Sequence, residues 1–150
     1  AVTYRDPRRL VLKSPPHTAR VKVLLDLFPD ARFVHIVRDP YVVFPSTVNL
    51  WTALGRKHGL QTPSNPERIR EKVFTEFRTV YDRLEEARPF IPAGQYHELR
   101  YEALVKDTAG EVRKVYDALG LGGFEAYRPR LEAYLATTRG YEANRYTLTD

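Results

Sequence analysis

The chain has 150 residues, 43% of them hydrophobic and 29% charged, with no cysteine and a formal net charge of +5. That length holds one domain with a real core, burying about 68–70% of the surface its unfolded chain exposes. The missing cysteines exclude disulfides, thiolate metal sites and a cysteine nucleophile, and no apolar run nears the length that crosses a membrane.

The opening residues "AVTYRDPRRL" predict no secretory leader. They run straight into "RLVLKSPP", read as a short buried strand, Leu10 to Leu12, stopped by two prolines. "HTARVKVLLDLFPDA" predicts a helix capped by Thr18, with Val21, Leu24, Leu25 and Phe28 at helical spacing and Pro29 ending it. "ARFVHIV" is β-branched and aromatic with no internal breaker, and predicts a second strand. A helix opens at Asp39 with Pro40 at its first position; Pro45, deeper in, predicts a kink or a later true start. "HGLQTPSNP" reads as a loop. Ile69, Val73, Phe77, Val80, Tyr81 and Leu84 form one stripe of a helix from Pro66 to Ala87. "QYHELRYEAL" holds a third strand, Tyr96 to Leu99. "DTAGEVRKVYDALG" predicts a helix with Val112, Val115, Tyr116 and Leu119 on one face and Gly120 as its stop. A last helix spans Phe124 to Ala136, and the tail "RGYEANRYTLTD" has no class. Strands alternating with helices predict one α/β domain, 1–150: a parallel sheet flanked by α-helices.

In open parallel sheets ligands bind beyond the carboxyl ends of the strands. Arg38 falls there, with a planar fork of donors that suits phosphate and keeps its charge near neutrality. The helix that follows predicts N-terminal amides facing the same space, and Ser46 could add a hydroxyl donor. The plainer alternative is a surface arginine paired with Asp39 or another carboxylate. Lys13 and His17 make a second cluster, "LKSPPHT", also at a strand end. Lys13 suits a phosphate or sulfonate and His17 a proton near pH 7; the alternatives are a solvated lysine and a loop histidine. His35, inside a strand, reads as a satisfied core histidine. No metal-type spacing and no Gly-rich dinucleotide fingerprint is present. The basic balance favours anionic partners, but the charge is scattered, with only a mild cluster at Arg5, Arg8, Arg9 and Lys13, which argues against nucleic acid.

"LVLKSPPHTARVKVLLDLFPDARFVHIVRDPYVVFPSTVNL" resembles the middle of a PAPS-dependent sulfotransferase of the broad bacterial type. The likeness is carried by the Lys-Ser-Pro strand end with its nearby histidine, by Arg38 and Ser46 spaced as in the family's 3′-phosphate motif, and by "ELRYEALVKD" around Tyr101. It spans Leu10 to Leu121. It implies a partial P-loop NTPase-like sulfotransferase fold, truncated at the N-terminus, because no Gly-containing phosphosulfate loop precedes Leu10. It implies that Arg38 and Ser46 hold the 3′-phosphate of the donor, 3′-phosphoadenosine 5′-phosphosulfate (PAPS), and that Tyr101 lies near the adenine. Lys13 would face the sulfonate, and His17 approximates the family's general base. The reaction would pass a sulfuryl group to a hydroxyl or amine of a small-molecule or carbohydrate acceptor, releasing adenosine 3′,5′-bisphosphate (PAP). No metal, nucleic acid or membrane partner is implied, and the cysteine-free chain accords with the cytoplasm. The alternative is a non-catalytic α/β module that binds an anion or nucleotide.

Overall fold

The computed structural model describes residues 9–58, 65–138 and 140. Strands β1 (Phe33–Val37) and β2 (Tyr96–Arg100) pair in parallel, from Phe33 opposite Tyr96 to Val37 opposite Arg100. A 3₁₀ segment (Pro15–Arg20) and helix α1 (Val21–Leu27) precede β1. Helices α2 (Pro40–His58) and α3 (Pro66–Ala87) and a 3₁₀ turn (Arg88–Phe90) join the strands. Parallel pairing demands such a crossover, because the chain must return to the end it left. Helices α4 (Tyr101–Lys106), α5 (Thr108–Ala118) and α6 (Phe124–Thr137) follow β2. The α/β architecture is the expected one.

Side chains alternate along a strand, so each face of the sheet meets different helices. Phe33 and Tyr96 pack with Leu25 and Ile91 against Val21, Leu84 and Ala87. Leu99, on the other face, joins Val115 and Leu119 of the α5 region, with Leu104 and Leu121 around them. Leu84 is 2% exposed; burying such a side chain fully is worth about 1.5–3 kcal/mol.

Local chemistry explains the element ends. The Asn65 side chain accepts the Glu67 N–H at 2.9 Å and Pro66 takes the first helical position, so α3 starts where expected. It ends at Ala87, where the chain tightens directly into the 3₁₀ turn Arg88–Phe90, Arg88 keeping helical dihedrals (φ −51°, ψ −44°). Helix α2 runs through Pro45 without breaking, and Pro45 is buried. Pro45 has no N–H for the Tyr41 carbonyl, so one rung of the helix is missing there. Past the end of α5, Gly120 adopts φ +55°, a left-handed conformation that favours glycine.

Two local expectations are corrected. Leu10 to Leu12 do not form a strand: the segment has no ladder partner among the described residues, and Val11 is 88% exposed. A favourable pattern makes a strand only when a neighbour supplies the hydrogen bonds. Thr18 caps no helix. The turn begins earlier, at Pro15, and Thr18 lies inside it. Arg139 and the tail from 141 onward lie outside the described residues. Among the described residues no helix is long and apolar enough to cross a membrane.

Candidate functional site

Because the β1–β2 ladder ends level, at Val37 and Arg100, the next residues of both chains emerge side by side. The Arg38 guanidinium carbon lies 4.4 Å from the centre of the Tyr101 ring, within cation–π range. One residue on, the Asp39 N–H donates to Glu102 Oε1 at 3.1 Å. That bond, then one from its own amide, holds the Glu102 carboxyl below the usual carboxylate range; Arg38 and Arg100 help, and burial opposes. Arg38 itself makes no hydrogen bond or ion pair to a described residue, Asp39 included. Its fork of donors is held on one face by the ring and remains open for an anion.

The expected role of the α2 amides is corrected. Asp39 caps this helix itself: Oδ1 accepts the Tyr41 N–H at 2.8 Å, and its carbonyl accepts from Val42 and Val43, both at 3.0 Å. Pro40 has no N–H to offer. An aspartate at the cap position consumes the donors that an anion would need. Anion binding at this corner therefore falls to side chains.

Ser46 sits in the second turn of α2, half-buried, seven positions after Asp39. Seven residues make about two turns, which returns Ser46 to the helix face that Asp39 occupies. Its hydroxyl has no partner among the described residues, whereas Thr47 and Thr52 spend theirs on the Val43 and Val48 carbonyls at 2.8 Å each.

Lys13 and His17 line a cleft of about 640 Å³ between the leading segment and the first half of β1. Lys13 is exposed. The Nδ1 of His17 is buried and has no hydrogen-bond partner among the described residues, an arrangement that costs free energy unless something else binds there. Arg38, Ser46 and Tyr101 do not line this cleft. The fold thus sets Arg38 against Tyr101 and places Lys13 and His17 in one cleft that neither Arg38 nor Tyr101 lines.

His35 is the satisfied histidine the sequence implies. Its Nδ1 lies 2.9 Å from the Tyr96 hydroxyl and 3.1 Å from Glu98 Oε2, and the Tyr96 hydroxyl donates to the same oxygen at 3.0 Å. Arg88 approaches Glu98 at 3.9 Å and covers the Tyr96 ring at 5.1 Å. Burial pushes the Glu98 carboxyl up, but hydrogen bonds from His35 and Tyr96 and the nearby positive charges outweigh it, leaving its pKa below the usual value. The Tyr96 phenol is raised well above its ordinary value, by burial first and then by Glu98. Sequence reasoning missed Glu98 as the partner of His35 and Glu102 as the partner of the Asp39 N–H. The register pairs His35 with Glu98, and the sole written hint of Glu102 is its place directly after Tyr101.

A second cleft, about 570 Å³, lies where α2 meets the start of α3; Trp51, Arg56, His58 and Lys72 are among its walls, with Lys72 5.0 Å above the Trp51 ring.

The model of the sulfotransferase family matches residues 1–126. Over 148 residues the chain is 47% identical to omega-hydroxy-beta-dihydromenaquinone-9 sulfotransferase Stf3 of Mycobacterium tuberculosis (strain CDC 1551 / Oshkosh), covering 99% of this chain and 38% of that protein. It is 30% identical over 127 residues to carbohydrate sulfotransferase 6 of Homo sapiens, covering 77% of this chain and 31% of that one. The crystal structure of sulfotransferase STF9 from Mycobacterium avium superposes with a TM-score of 0.70 at 26% identity, over 92% of this chain and 34% of that one. The chain therefore spans well under half the length of each.

Proposed function

The chain belongs to the sulfotransferase family, and on that premise we propose that it carries the 3′-phosphate side of a PAPS site in an enzyme that sulfates a hydroxyl or amine. The observation that carries the reading is Arg38: a guanidinium braced on Tyr101 at a strand end, in no hydrogen bond or ion pair with a carboxylate among the described residues. An anion meeting it gains charge-assisted bonds without first displacing another group. The Ser46 hydroxyl, without a partner among the described residues, supplies a further donor. These residues fit the donor nucleotide. The donor, when bound, supplies the sulfuryl group; its spent form is PAP.

Within this reading Tyr101 keeps the arginine plane and borders the base. His17 takes the proton of the attacking group, and Lys13 offsets charge near the sulfonate. General-base help of this kind contributes about 10²–10⁴-fold. Lysine and arginine provide the cations, so the reading calls for no metal. The printed names of the relatives, a hydroxylated menaquinone sulfotransferase and a carbohydrate sulfotransferase, favour a hydroxyl acceptor on a small molecule or carbohydrate. A cysteine-free chain accords with a cytoplasmic setting.

Calorimetry with PAP against adenosine 5′-monophosphate tests the reading. The expected result is tighter binding of PAP, with the preference abolished in Arg38→Ala. Equal affinity for the two nucleotides overturns it. The separation of Lys13 and His17 from Arg38 favours one rival, a module that binds the nucleotide without catalysis. Retained PAP preference with no sulfuryl transfer from PAPS to any hydroxyl or amine acceptor would select that rival.

A further inference from the structure

We infer that Glu102 is a positioning residue: its carboxylate, bonded to the Asp39 N–H, fixes the corner that holds the Arg38 guanidinium on the Tyr101 ring. The inference rests on reading Arg38 as the phosphate ligand, and adds how that ligand is held.

The β1–β2 ladder stops at Val37 and Arg100. Both chains turn into helices there, so no further backbone pairing is available. Two contacts nevertheless carry the register two steps on. Arg38 meets Tyr101 at 4.4 Å, and the Asp39 N–H meets Glu102 at 3.1 Å. The second joins segments 63 residues apart in sequence. Asp39's own carboxylate is committed to the Tyr41 amide, so Glu102 is the group that secures the Asp39 N–H. The root of Arg38 is thereby held from both sides, by the last ladder pair and by this bond, while the ring holds its tip. A long side chain ordered before its ligand arrives loses less freedom on binding.

Glu102 also exerts the opposite influence. Its negative charge near Arg38 weakens the pull on an anion. Substitution separates the two effects. Glu102→Gln removes the charge but keeps an oxygen that accepts the Asp39 N–H; Glu102→Ala removes both. A purely electrostatic role makes both variants bind PAP more tightly, to the same extent. Positioning makes them diverge: Glu102→Gln binds PAP as well as the parent chain or better, and Glu102→Ala binds on the order of tenfold more weakly.

A second readout needs no nucleotide. The Arg38 side-chain NMR signals carry an upfield ring-current shift from Tyr101, whose size Tyr101→Leu calibrates. Glu102→Gln should keep that shift and Glu102→Ala should lose it. An unchanged shift in Glu102→Ala, or equal tightening of PAP binding in both variants, overturns the inference. A parent chain with no PAP preference overturns the 3′-phosphate reading instead, and the ring-current shift still decides the part played by Glu102.

Discussion

The corner that holds Arg38 and the segment that holds Lys13 and His17 are both cationic stretches near β1, yet they are built in different ways. At the corner the ladder runs to Val37 and Arg100, and two further contacts extend it. The leading segment has no ladder partner among the described residues, and its apolar side chains Leu10, Val11 and Leu12 are exposed. Position in a sheet defines Arg38 from two sides, whereas Lys13 and His17 are placed by the following 3₁₀ turn and the cleft wall. A charge already held in place costs its ligand less to order.

Substitutions can break this contrast. The largest effect is expected at His17. His17→Ala should lower sulfuryl transfer by about 10²–10⁴-fold while leaving PAP affinity intact, as measured by turnover and calorimetry side by side. A parallel loss of affinity would merge the two regions into one site. Next comes Arg38→Ala, which should weaken PAP by roughly ten- to a hundredfold, the range for a bond to a charged group. Arg38→Lys should restore little of it, because an ammonium lacks the planar fork and stacks poorly on Tyr101. Ser46→Ala should cost a smaller amount, about two- to tenfold in PAP affinity, with no change in adenosine 5′-monophosphate binding.

The smallest effect lies on the sheet between the two regions. The Glu98 pKa is depressed in the folded chain. Its contribution to stability is therefore present above the unfolded carboxylate value of about 4.3 and is lost as pH falls through the lower folded value. Glu98 is partly exposed, so solvent screening limits the effect to under about 1 kcal/mol. Urea midpoints taken at pH 6 and pH 3 should fall further in the parent chain than in Glu98→Gln. Equal falls would show that the His35–Tyr96–Glu98 cluster does not stabilise the fold through that charge.

Local signals made much of this legible in the letters. Asn65–Pro66 opens α3, and a β-branched and aromatic run with no breaker marks β1. Arg38 at a strand end points to an anion by chemistry alone. What the letters withheld is pairing. Nothing in "LVL" says whether a neighbouring strand will complete its hydrogen bonds. Nothing near Asp39 says that Glu102 will meet it, because the parallel register comes from faces buried against separate helices. The helix amides were misjudged for a related reason. Beside Arg38, Asp39 reads as an ion-pair partner, while its cap position commits it to Tyr41.

The most direct test is a structure of the chain bound to PAP. The account predicts 3′-phosphate oxygens within hydrogen-bonding distance of the Arg38 guanidinium and the Ser46 hydroxyl, with the Tyr101 ring still beneath the arginine. A 3′-phosphate seated in the Lys13–His17 cleft, with Arg38 turned to solvent, would contradict it.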